Sequence, residues 1–333
     1  MEDAQRLTTL ADRQATGELV AELQRLSQSA TKASIADEWL LDRGLHELSR
    51  VRPTPPAKAL LHTVAQRPPQ IFVQVDPDHG SHAVPLYDPG ATARFVLRNW
   101  ERTEAREQAS AALSANLTSP LERFAADDTA SETDPAKAGI VDAFRAASPQ
   151  TLARQRNAIA AAIARGERVD EIAALTAERL ADVELYELVI GHADAPVALD
   201  ALRRVRNVLG ESAALDTLIA ASARQPLASA ALLEIGRLAE QDSRARTYLF
   251  TMLTDPAAGS SAAAALASLH EPTVAAELGR RLLRTRQEAE RRQLVLALKL
   301  DGSSAARAQL DQFVKARSGS TELHKEVRTW LAQ

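Results

Sequence analysis

The chain has 333 residues, of which 45% are hydrophobic, 25% charged and 4% aromatic, with a formal net charge of −4. Such an apolar share belongs to a folded chain with a real core, and the length suits one large or two ordinary domains. The absence of cysteine excludes a disulfide framework, a thiolate metal site and a cysteine nucleophile, while a pI of about 6.0 argues against a general nucleic-acid or membrane-surface binder.

The N-terminus, MEDAQRLTTLADRQ, carries neither a basic segment nor an apolar one of the secretory type. The expectation is therefore a cytoplasmic protein, or an exported one if Met1 stands in place of a removed leader. No apolar run approaches the roughly 20 residues of a membrane span. Residues 3–67 read as three helices, with Leu19, Leu23 and Leu26, then Trp39, Leu40, Leu45 and Leu48, at helical spacing. At 69–90 the pattern changes. Ile71, Val73 and Val75 alternate with Phe72 and Gln74, and DPDHG is a turn, so a small β-hairpin flap is expected there. A helix over about 91–115 follows, and the polar, acidic stretch 118–138 reads as a linker or loop. The expected organisation is thus an N-terminal helical region at 1–117, a linker at 118–138, and a repeat region at 139–333.

Beyond residue 139 the chain is self-similar. Pro196, Pro226 and Pro256 recur every 30 residues, each after a short polar turn and before an alanine-rich helix. Proline loses no hydrogen bond at a first helical position, so each is expected to start the second helix of a pair. The preceding helices carry the triplets Leu185, Leu188, Val189; Leu215, Leu218, Ile219; Leu249, Met252, Leu253; and Leu310, Phe313, Val314. In the third unit Ala245, Tyr248, Leu249 would serve as well. The following helices carry Ala201-Leu202, Ala231-Leu232, Ala265-Leu266 and Ala297-Leu298. About five two-helix units are expected from residue 182 onward, with a less regular one at 151–181.

These units resemble short HEAT repeats of the kind named after the phycobilisome lyases, most closely at LTDPAAGSSAAAALASLHEPTVAAELGRRLL, residues 253–283. The family's usual Val-Arg pair at the start of the second helix is replaced here by Val197-Ala198, Leu227-Ala228 and Ala257-Ala258. The resemblance implies an all-α protein, a HEAT-like α-solenoid preceded by the helical region with its β-hairpin flap. It also implies a partner-binding surface, without naming any chemistry.

Four sets of residues are candidates for function. His46-Glu47 and His270-Glu271 are dipeptides of the type that HEAT-type di-iron hydroxylases use, but the equivalent repeat ends lack histidine, so no metal or other cofactor is expected. Asp76, Asp78, His79 and His82 have the ligand types for a divalent ion, but a polar turn uses the same residues for backbone reasons alone, and a turn is what is expected. Trp100, Tyr87 and Phe95 are expected to pack the flap. The fourth set is Arg203, Arg204, Arg237, Arg291 and Arg292, on second helices that would line a concave face and recognise carboxylates or phosphates. Nucleophile-elbow, zincin, P-loop and dinucleotide motifs are absent. The expected function is that of a non-enzymatic scaffold or adaptor binding another protein through an acidic segment. The alternatives are a metal-dependent enzyme of the HEAT-repeat hydroxylase type and a nucleic-acid-binding HEAT-like protein.

Overall fold

A computed structural model describes residues 2–28, 34–75, 82–126, 134–316 and 319–332. Among these the protein is all-α apart from one two-stranded hairpin, and it divides into two compact units, Met1–Ala147 and Ser148–Gln333.

The first unit contains α1 (Glu2–Asp12), α2 (Thr16–Gln28), α3 (Ile35–Leu48), α4 (Pro55–Ala65), β1 (Phe72–Val75), β2 (His82–Pro85), α5 (Pro89–Ser114), α6 (Ser119–Ala126) and α7 (Pro135–Ala146). Four helices, rather than the expected three, precede the hairpin. The extra break falls at Gln14, which adopts a left-handed conformation (φ 55°) and donates from its side chain to the Arg50 carbonyl, between the end of α1 at Asp12 and the start of α2 at Thr16. Thr54 caps α4, and Pro55 and Pro56 occupy its first positions, where no amide partner is lost. The interior is made of large side chains, with Leu7, Leu19, Leu23, Leu41, Leu45, Leu48, Leu61, Val96 and Trp100 in one buried cluster.

Of the stretch expected as a linker, residues 127–133 lie outside the described residues, and the described parts are largely helical. Leu121 and Phe124 bury one side of α6 against α5, and α7 packs along α5 with Gly139 at the crossing. A Cβ at Gly139 would lie 2.2 Å from the Arg102 carbonyl, so only glycine allows this approach. Arg102 also clamps Asp142 at 2.6 Å and holds its carboxyl below the usual aspartate range. The boundary between units accordingly falls after Ala147, with α7 in the first unit.

The second unit contains α8 (Pro149–Ala164), α9 (Asp170–Leu180), α10 (Val183–His192), α11 (Ala195–Leu209), α12 (Glu211–Ser222), α13 (Ala228–Leu238), α14 (Ser243–Met252), α15 (Gly259–Ala267), α16 (Pro272–Arg284), α17 (Glu288–Asp301), α18 (Ser304–Ala316) and α19 (Thr321–Leu331). Five helix pairs run from residue 183 onward, preceded by the pair α8–α9. First helices begin at residues 183, 211, 243, 272 and 304, a period near thirty. Each second helix packs on its own first helix and on the neighbouring second helices, so α9, α11, α13, α15 and α17 form one continuous layer of a solenoid array. The residues that carry the repeat pattern are the ones that fill it: Leu185, Val189, Leu215, Leu218, Leu249, Leu253, Leu310 and Phe313 are buried, and so are all four Ala-Leu pairs.

Small side chains set the spacing within the layer. A Cβ on Gly236 of α13 would lie 3.0 Å from the Ala265 Cβ of α15, and Ser261 donates to Ser229 across the same interface at 2.9 Å. The prolines behave differently from one another. Pro196 sits within the first turn of α11 as expected, but Pro226 and Pro256 lie in turns ahead of α13 and α15. There Asp255 Oδ1 accepts from the Ala257 and Ala258 amides, both at 2.8 Å, and fixes a tight turn before the helix starts.

Candidate functional site

All five arginines singled out in the sequence lie on second helices of the array, Arg203 and Arg204 on α11, Arg237 on α13, Arg291 and Arg292 on α17. Their chemistry divides them. Arg204 is held by Glu178 at 3.0 Å and Asp200 at 2.7 Å, which raise its pKa further. Arg237 pairs with Glu234 at 2.8 Å. Arg291 is 8% exposed and works inside the fold: it bonds Glu288 at 2.7 Å and donates to the Thr285 carbonyl, with Gly319 packed on its side chain. Arg203 and Arg292 are exposed and form no ion pair among the described residues. The layer therefore brings the five onto one set of helices but presents two of them free, at α11 and α17, with α13 and α15 between.

The exposed residues of that layer include a feature the sequence pattern did not flag. Leu233 on α13 and Leu300 on α17 are 48% and 51% exposed, although the apolar positions around them are buried. Between these helices α15 shows only Ser260 as exposed and Ser261 and Ala264 as half-buried, so its outer side is low and uncharged. What results is a surface of leucine and arginine flanking a strip of small side chains. It can bury an apolar side chain and offer a guanidinium fork to a carboxylate in one contact.

The two histidine pairs fall in different units. His46 lies in α3 of the first unit, with Nδ1 3.0 Å from the Asp42 carbonyl, and its neighbour Glu47 is buried between Arg43 and Arg50, which offset its burial and lower its pKa. His270 lies in the α15–α16 turn of the second unit, left-handed (φ 50°), with Nδ1 3.4 Å from buried Asp301. Glu271 is taken by Arg246 at 3.0 Å. Among the described residues no group of three or more metal-ligating side chains converges. Asp76, Asp78 and His79 lie outside the described residues, and of His82 only its backbone pairing with Val75 is described.

The aromatic set splits as well. Trp100 is in the core of the first unit, whereas Phe95, five residues earlier on α5, is 53% exposed. Phe95 instead belongs with Ile35, Trp39, Phe72, Val73, Val75 and Leu86, all exposed and all in the first unit. No helix of the described residues is long and apolar enough to cross a membrane. Compared with known proteins, the chain matches no family model and no curated protein.

Proposed function

We propose that the protein is a non-enzymatic scaffold that binds a partner protein on the exposed side of the second-helix layer, as the resemblance to short HEAT repeats implies. The observation that carries this reading is the coexistence of free Arg203 and Arg292 with exposed Leu233 and Leu300 on one layer of a repeat array. Stacked repeats bury their apolar positions between neighbours, so two leucines left half in water are exceptions. Extended repeat layers serve as binding surfaces for the same reason: each unit adds area without needing a new core.

Affinity capture on the tagged full chain, with mass spectrometry, tests this reading. A partner retained by the wild type and lost with Leu233→Asp/Leu300→Asp, at unchanged thermal midpoint, is the expected result. Stoichiometric iron or zinc in the purified protein, with the double variant retaining every partner, would replace the scaffold by a metal protein. A polyanion-dependent capture abolished by nuclease would replace it by a nucleic-acid binder, whose affinity falls steeply with salt.

A further inference from the structure

The corner between α16 and α17 reverses the charge balance of its surroundings. Residues 280–292 contain six arginines and two glutamates, whereas the rest of 148–333 contains 18 basic and 21 acidic residues. Three of the six arginines are paired within the fold. Arg280 and Arg281 share Glu277 and hold its carboxyl below the ordinary range, and Arg281 also lies 4.5 Å from the Phe250 ring centroid. Arg291 is spent on Glu288 and Thr285. Three remain, Arg284, Arg286 and Arg292, all exposed and none in an ion pair among the described residues.

Helix electrostatics explain one of the three. Arg284 is in the last turn of α16, where a cation offsets the partial negative charge of unsatisfied carbonyls. Arg286 lies in the turn between the helices and Arg292 is the fifth residue of α17, so neither sits in a last helical turn that would account for it. Glu288, one turn before Arg292, feels its field, but that carboxylate already accepts from Ser320 at 2.7 Å and from Arg291 at 2.7 Å.

The turn that carries Arg286 is built rigidly. The Thr285 carbonyl accepts from Arg291, the Thr285 hydroxyl donates to Glu290, and the same hydroxyl oxygen accepts from the Gln287 amide at 3.2 Å. Beneath it Gly319 is left-handed (φ 98°), and a Cβ there would lie 2.8 Å from Arg291 Cδ, so glycine alone lets the chain close over the guanidinium stem. A turn fixed in advance loses little freedom when a ligand arrives.

We propose that this corner, carrying Arg284, Arg286 and Arg292, docks an acidic peptide segment of the partner. It deepens the scaffold reading and rests on it. Carboxylates match the guanidinium forks in both charge and bidentate geometry. A long phosphodiester polyanion is the poorer fit, because beyond this corner the unit has no excess of basic residues to follow its backbone.

The test is fluorescence anisotropy with the full chain, using a labelled oligoglutamate peptide, its glutamine counterpart and a labelled oligothymidylate of equal charge. The expected result is binding of oligoglutamate alone, weakened at least about tenfold by Arg286→Glu/Arg292→Glu and unchanged by Arg154→Glu/Arg307→Glu, at constant thermal midpoint. Equal weakening by both double variants would overturn the proposal, as would tighter binding of oligothymidylate or no binding of oligoglutamate. Partner capture separates this failure from that of the scaffold reading. If capture survives Arg286→Glu/Arg292→Glu but is lost with Leu233→Asp/Leu300→Asp, the corner is refuted while the scaffold stands.

Discussion

In the first unit the interior is filled by leucines, Phe144 and Trp100, along helices of unequal length. In the second it is filled by short, regular pairs lined with alanine: the described residues include 19 buried alanines there against seven in the first unit. The surfaces differ in the opposite sense. Eight of the eleven exposed large apolar residues among the described ones, from Ile35 to Leu117, belong to the first unit and three to the second. A repeat buries its apolar face against the next repeat, so an array is left with few apolar residues outside and its surface identity is written in charge. A single core closes on itself and leaves apolar positions over, including the hairpin, whose β1 residues are all exposed.

The largest expected effect breaks one unit and spares the other. Phe144 is fully buried on α7, and Phe144→Ala should cost about 4 kcal/mol. Native-state hydrogen exchange should show the loss in residues 1–147 and unchanged protection in 148–333, since a change in one core leaves the other's opening energies alone. Loss of protection in both would mean that the two units form one cooperative body.

Two glycines sharpen the contrast at a smaller scale. Gly139→Ala drives a Cβ into the backbone of α5 and should cost about 2–3 kcal/mol. Gly279→Ala meets only the end of the Gln309 side chain, which can swing away, so helix propensity should hold the change within about 1 kcal/mol of zero. Equal costs, read from denaturant midpoints, would deny that backbone approach distinguishes the two crossings.

The next effect depends on pH. Asp182 caps α10 through the Leu185 amide and is clamped by Arg156, which holds its folded-state pKa below the ordinary 3.8. A depressed carboxylate stabilises the fold above its unfolded pKa, and that contribution disappears as pH falls through the lower folded value. Asp182→Asn should therefore lower stability by about 1 kcal/mol at pH 7. The thermal midpoints of wild type and variant should converge below pH 3.8, whereas a constant gap would assign the loss to packing. Smallest of all, Arg203→Ala should move stability by less than about 0.5 kcal/mol, because its side chain is exposed and unpaired.

Much of the array is legible in the sequence because its period is repeated. The Ala-Leu pairs and two of the three positions in each apolar triplet mark buried positions of four separate units, and a pattern seen four times outweighs one ambiguous register. The first unit offers no such redundancy. Gln14, whose left-handed turn separates α1 from α2, has no glycine or proline signature, and the acidic composition of 118–138 conceals Leu121 and Phe124, which suffice to bury one side of α6. Among the arginines, helix position was readable but pairing was not. Whether Arg291 is structural or free depends on Gly319, 28 residues away in sequence and folded against it.

The contrast between the units also separates the two places where a partner could land, the leucine and arginine layer of the second and the apolar surface of the first. A photocrosslinking residue placed in the full chain at position 233 or 300, or at 39 or 95, decides between them when the captured partner is present. The expected result is partner adducts from 233 and 300 and none from 39 and 95. Adducts confined to 39 and 95 would contradict it and assign binding to the first unit.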